Sequence, residues 1–222
     1  MFSLKEALGD YEIYTTHSEE LKKINIDKYI MMINTKKSIR FNNEEFKKIS
    51  IEFDTVLNSS GECIVNAANE GLLGGGGIDG AIHQTCGSEL NEYIIKNIPA
   101  DTYGARIYEG ESVITPGFMS KFKWIIHTIA PYYDEQNRMK INVMKNAFDS
   151  IFKLVDENNI EEIILTPIGT GFYGFHMYEF TLIMFEKIAY YLEKNKKIKR
   201  VRIMTNLKLM FNYFKFYFDI ES

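Results

Sequence analysis

The sequence predicts an α/β sandwich, a largely parallel or mixed sheet held between helices. Three observations predict it. Short apolar runs alternate along the chain with longer segments that carry apolar residues at helical spacing. Two glycine-rich stretches each follow an apolar run and precede a helical segment, the layout of folds whose ligands sit at the carboxyl ends of strands. The balance of 45% hydrophobic and 25% charged residues is that of a globular domain, and 16 Phe, 14 Tyr and one Trp can bury ample apolar surface.

Residues 1–48 differ from the rest of the 222-residue chain. They are rich in Lys, Glu and Asn, and read as an N-terminal extension packed on a main domain of residues 49–222. Within them Ser18-Glu19-Glu20-Leu21 marks a helix start, with a Ser cap and acids in the first turn. Tyr29 to Ile33 is a short apolar run that suits a strand or a buried helix turn. Beyond 48, strands are expected at Ile51–Phe53, Cys63–Val65, Ser112–Ile114, Trp124–His127, Ile163–Leu165 and Val201–Met204. Between them, Ile141, Met144, Phe148, Ile151, Phe152 and Val155 recur mostly at steps of three and four, one helical stripe. Phe180, Met184, Ile188, Tyr191 and Leu192 form another, and Leu207 to Phe218 reads as a last helix. Both stripes are expected to face the core.

The first glycine-rich stretch runs Asn66-Ala67-Ala68-Asn69-Glu70-Gly71-Leu72-Leu73-Gly74-Gly75-Gly76-Gly77. Four consecutive glycines lose much backbone entropy on ordering, and suit a place where backbone must approach something closely. A helical pattern of Ile78, Ala81, Ile82 and Thr85 begins at once. Unpaired N–H groups at that helix start favour a phosphate. The second stretch, Gly169-Thr170-Gly171-Phe172-Tyr173-Gly174-Phe175, offers backbone donors and the Thr170 hydroxyl to a second phosphate. Its aromatics Phe172, Tyr173 and Phe175 can cover a sugar or base. Two such loops suggest a diphosphate held between them. Neither is the dinucleotide GxGxxG fingerprint nor a P-loop.

These residues resemble the signature of macrodomains. The match lies in Asn66-Ala67-Ala68-Asn69 and in Leu72 through His83, and within the family it looks like the MacroD-type branch that removes ADP-ribose from proteins. The second loop resembles that branch's phosphate loop, with Gly169 where Ser is more usual, and Trp124 to Pro131 looks like a family core strand. The resemblance covers roughly residues 50–218. It implies a three-layer α/β/α sandwich with a mixed central sheet and ADP-ribose in a cleft on top. Carried onto this chain, it implies that Asn69 bonds the distal ribose and that Asp79, near the anomeric carbon, orients or activates water. These two form the expected catalytic pair. Gly75, Gly76, Gly77 and Ile78 would pass close to the distal ribose and its phosphate, and Gly169 to Phe175 would clasp the diphosphate. Asp54 would hold the adenine amino group. Asn206 stands where the family often stacks an aromatic on adenine, and would bond the base instead.

The implied activity is a mono-ADP-ribosyl-protein hydrolase acting on acidic side chains, with related activity on O-acetyl-ADP-ribose. Either Asp79 or the substrate's own phosphate activates the water. A non-catalytic ADP-ribose reader and an ADP-ribose 1″-phosphate phosphatase would use the same pocket. Backbone N–H groups bind a diphosphate without a metal, so no cofactor and no metal are expected. Cys63 and Cys86 with His83 make no metal set. Asn66 is expected to join backbone groups near its strand end, His83 to be packed and hydrogen-bonded, and His127 to be a core histidine; His17 and His176 have no partner that spacing reveals. The partners expected are ADP-ribose and ADP-ribosylated proteins. A net charge of −4 argues against nucleic acid, and the absence of a spanning apolar run argues against a membrane. Two cysteines and no signal-peptide pattern suit the cytoplasm or nucleus; a monomer is expected.

Overall fold

The computed structural model describes residues 43–132 and 140–221. The readings made for Ser18, the run at Tyr29 and His17 lie outside the described residues. A short helix α1 (Asn43–Phe46) leads into β1 (Ile49–Phe53) and β2 (Gly61–Ala67). Helices α2 (Gly77–Cys86) and α3 (Ser88–Asn97) follow, then β3 (Ser112–Pro116), β4 (Phe122–Thr128) and α4 (Ile141–Glu157). The chain ends with β5 (Glu162–Leu165), α5 (Met177–Lys194), β6 (Arg200–Thr205) and α6 (Lys208–Glu221).

Among the described residues the strands form one six-stranded sheet in the order β1-β6-β5-β2-β4-β3. β3 runs antiparallel to β4 and every other neighbouring pair is parallel. The sheet is therefore mixed, as expected. Side chains alternate across it because the strand repeat is two residues. Cys63, Val65, Ile163, Leu165, Val201 and Ile203 face one core, filled by Phe148 and Phe152 of α4, Phe180 and Phe185 of α5, and Phe214 of α6. Ile64, Ile164 and Met204 face the other, filled by Ile82 and Cys86 of α2 and Leu90 and Ile94 of α3. Helix layers on both faces complete the three-layer sandwich.

Each expected strand is present, and β1 begins two residues earlier, at Ile49, which is buried in the first core. Helix α3 was not anticipated. Gly87 permits it: a left-handed φ of 79° lets the chain break after α2 and restart at Ser88, with Leu90 and Ile94 at helical spacing. At the β1 edge the second face is polar. Arg202 donates to Glu52 through Nε at 2.9 Å and Nη2 at 2.7 Å, and to Glu162 at 3.1 Å. That fork ties β1, β6 and β5 in register, and its hydrogen bonds hold the Glu52 carboxyl below the usual carboxylate range.

Candidate active site

Both glycine-rich stretches leave the sheet at the carboxyl ends of parallel strands, the first from β2 and the second from β5. The strand order sets Asp54 after β1, Asn206 after β6, the second loop after β5 and the first loop after β2 in one row. At about 4.8 Å per strand the row from β1 to β2 spans roughly 14 Å. An elongated ligand fits along such a row.

The first loop is pinned from inside by Asn69. Its Oδ1 accepts from the Leu72 N–H at 3.1 Å, and its Nδ2 donates to the Gly74 carbonyl at 2.9 Å and lies 3.4 Å from Asp79 Oδ2. Gly75 crosses directly over this pair. A Cβ there would stand 3.0 Å from Asn69 Nδ2 and 3.2 Å from Asp79 Oδ2. Gly76 and Gly77 have open space on the side where a Cβ would point. Helix α2 starts there with Gly76 as its N-cap and no side-chain cap. Its first-turn N–H groups are thus left for a ligand, and the helix dipole favours an anion.

Asp79 is 3% exposed. Its Oδ1 accepts from Asn66 Nδ2 at 2.7 Å and lies 3.5 Å from His83 Nε2. Burial pushes the Asp79 carboxyl above the usual carboxylate range, while the Asn66 bond and His83 pull it back. Asn66 joins side chains, not the backbone groups expected of it: the same Nδ2 lies 3.1 Å from His127 Nδ1. The reason is the strand repeat, which turns Asn66 toward α2 together with Ile64. His127 is fully buried, as expected of a core histidine, and burial holds its pKa at about 3. His83 is packed and hydrogen-bonded, with Nδ1 2.8 Å from Asn91 Oδ1. Its second nitrogen against Asp79 is a contact the sequence reading missed, although a spacing of four residues on one helix signals it.

The second loop is also built on its own hydrogen bonds. Phe175 N–H donates to the Gly169 carbonyl at 2.9 Å and Gly174 N–H to Gly171 at 3.0 Å. Two expectations change here. The Thr170 hydroxyl donates to the Pro167 carbonyl at 2.9 Å, so its proton is spent in the loop and not offered to a phosphate. Phe175 is buried in the first core and cannot cover a sugar. Phe172 is wholly exposed, and Tyr173 is half-buried with its ring edge-on to Tyr132 at 5.5 Å. Tyr132 donates to Glu70 at 3.2 Å, which joins the loops after β2, β4 and β5. Burial together with Glu70 and Glu109 pushes the Tyr132 phenol up to about 12.

Gly169 has φ of 76°, and a Cβ there would lie 2.7 Å from the Ala130 methyl. Ala130 occupies the space a Ser at 169 would need. Gly169→Ser is therefore expected to destabilise the fold by about 1–3 kcal/mol in urea unfolding, from overpacking and left-handed strain, and to gain no affinity for a phosphate. At the other end of the row Asp54 is exposed and caps its own turn, accepting from Thr55 N–H at 2.7 Å and Asn58 Nδ2 at 3.2 Å. Its N–H donates to the Thr205 carbonyl at 3.2 Å, which sets it beside exposed Asn206. Among the described residues no three His, Cys, Asp or Glu side chains converge as a metal set.

A sheet between two helix layers, with glycine loops and an uncapped helix start at the strand ends, defines an α/β protein suited to an extended anionic ligand. Residues 65–184 match the macro domain family, and the chain belongs to it. It is 33% identical over 160 residues to O-acetyl-ADP-ribose deacetylase 1 of Pantoea vagans, covering 71% of this chain and 91% of that protein. It is 32% identical over 184 residues to human ADP-ribose glycohydrolase MACROD2, covering 82% of this chain but only 42% of that protein. A mutant of the Oceanobacillus iheyensis macrodomain solved with ADPR superposes with a TM-score of 0.71 at 28% identity, covering 78% of this chain and 94% of that one.

Proposed function

We propose that the chain is an ADP-ribosyl hydrolase. It binds ADP-ribose along the strand ends, releases it from acidic side chains of proteins, and removes the acetyl group of O-acetyl-ADP-ribose at the same site. The observation that carries this reading is the buried Asp79 carboxylate at the start of α2, between Asn69 and Asn66. A pure binding module needs backbone donors for the diphosphate, and has no use for a desolvated carboxylate beside them. The relatives named a deacetylase and a glycohydrolase support the same class of reaction.

In this reading the diphosphate rests on the N–H groups of the Gly75–Ile78 stretch, with Gly169, Thr170 and Gly171 opposite. The exposed Phe172 and the Tyr173 ring cover the distal sugar. Asp54 and Asn206 take the adenine end. Asn69 orients the distal ribose, which contributes positioning. Water attacks the ester, and Asp79 accepts its proton; the raised pKa makes the carboxylate a better base at neutral pH. The ribose oxygen leaves and takes a proton back, which regenerates the carboxylate. His83 Nε2 stands 3.5 Å from Asp79 Oδ1.

The test is a time course of ADP-ribose release from a protein mono-ADP-ribosylated on Glu or Asp, with the native chain and Asp79→Ala in parallel. The native chain should release ADP-ribose. The variant should be slower by about 10²–10⁴-fold, the range of a lost general base, and still bind free ADP-ribose. Binding without release by the native chain would make it a reader and overturn the hydrolase.

A further inference from the structure

Behind Asp79 lies a buried polar chain that the reaction above does not use. It runs from Thr115 on β3 through His127 on β4 to Asn66 on β2, and ends on Asp79. Thr115, His127 and Asn66 are all fully buried. The protons along this chain can be assigned. His127 is neutral, so its ring carries one N–H and one bare nitrogen. Asn66 Nδ2 has two protons. One goes to Asp79 Oδ1 at 2.7 Å, and the other points to His127 Nδ1 at 3.1 Å. His127 Nδ1 must then be the bare nitrogen. The ring proton sits on Nε2, 3.0 Å from Thr115 Oγ1, which accepts it.

The oxygen of the Asn66 amide has no partner, although it is buried. Nothing on that side orients the group; its two N–H bonds alone decide which way it faces. We propose that His127 is a positioning residue for Asp79: its bare Nδ1 holds one proton of the Asn66 amide and thereby keeps the other on Asp79 Oδ1. Without that acceptor the amide can turn its oxygen toward Asp79, which rejects a carboxylate and admits only the protonated acid. His127 thus helps keep Asp79 a proton acceptor in a site whose burial works the other way.

The titratable groups around this unit are His83 on the same helix as Asp79, His127 on β4 and the Tyr173 phenol of the second loop. The His83 ring stands 5.9 Å from that of His127. Glu70 and Glu109 act on Tyr173. The inference rests on the hydrolase reading only for its effect on rate.

The experiment has two readouts. Nitrogen-15 NMR of the native chain, labelled at histidine, reports the His127 tautomer. Carbon-13 NMR reports the titration midpoint of the Asp79 carboxyl in the native chain, His127→Phe and His127→Gln, beside the pH profile of ADP-ribose release. The expected tautomer has its proton on Nε2. The Asp79 midpoint and the acid limb of the profile should both rise by about one pH unit in His127→Phe. Both should return toward native in His127→Gln, whose Oε1 can replace Nδ1 as acceptor. A proton on Nδ1 in the native chain, or an unmoved Asp79 midpoint in folded His127→Phe, overturns the proposal. If His127→Phe does not fold, the native tautomer decides. A native chain that releases no ADP-ribose, but shows the expected tautomer and midpoints, sinks the hydrolase and leaves the positioning role standing.

Discussion

Asp79→Asn should make the protein more stable and inactive at once. The sign follows from the direction of its pKa. In the unfolded chain the carboxyl ionises near the ordinary Asp value of about 3.9. In the folded chain burial raises that step. The folded state therefore holds the proton more tightly. Below the unfolded value both states are protonated and Asp79 costs the fold no charge burial. As pH rises through the folded value that advantage is lost, and at neutral pH the fold carries a desolvated charge. Asparagine keeps an oxygen for the Asn66 N–H and carries no charge at any pH. Thermal unfolding at pH 7 should show a gain of about 1 kcal/mol, the scale of one incompletely compensated buried polar group. The gain should shrink toward zero as the pH falls below the folded value. Release of ADP-ribose should be lost in this variant at every pH, because an amide cannot accept the proton from water. A variant that is both less stable and inactive would mean that Asp79 is held as part of an ion pair with His83, not as a strained carboxylate.

Gly80→Ala should break the first loop from beneath. Helix propensity alone favours Ala over Gly in α2 by about 1 kcal/mol. Here a Cβ would lie 2.4 Å from the Gly75 carbonyl oxygen, which is backbone and cannot swing aside. Overpacking of this kind costs about 1–3 kcal/mol, so the clash outweighs the propensity. The loop has to lift, and lifting Gly75 removes the lid over Asn69 and Asp79. Urea unfolding should report the lost stability, and titration calorimetry should report weaker binding of ADP-ribose by about tenfold or more, since the proposed binding mode sets the diphosphate on the backbone donors that the lifted loop displaces. Gly76→Ala is the control. Its φ of −92° is ordinary and no atom lies within 4 Å of the added methyl, so its stability should stay within about 0.5 kcal/mol of native. Equal loss in both variants would show that glycine entropy, not the close approach at Gly80, sets the loop.

The layers of this fold were legible because strand and helix repeats are local. The stripes from Ile141 to Val155 and from Phe180 to Leu192 face the core as their spacing implies. The direction of β3 was not legible, since nothing within Ser112–Pro116 says which way its partner runs. The glycine loops were found by composition alone, and Asn69 and Asp79 do meet, ten residues apart in the chain. What escaped were contacts that join distant strands. Asn66 and His127 are 61 residues apart and touch only because β2 and β4 pair in parallel with those two residues in register. The burial of Phe175 is not legible from its neighbours, since Phe172 is wholly exposed and Tyr173 half-buried, and it is the tight turn closed on Gly169 that rolls Phe175 into the core.

The row of strand ends is uneven in how deeply it is rooted. At the β2 end Asp79 is tied through Asn66 and His127 to Thr115, a buried chain that reaches three strands, so a change there disturbs the interior. At the β1 end Asp54 and Asn206 stand in solvent and hold little beyond their own turns. The two ends of the row consequently differ in what a substitution disturbs: at the β1 end it alters a surface turn, whereas beside Asp79 it is felt in the core beneath.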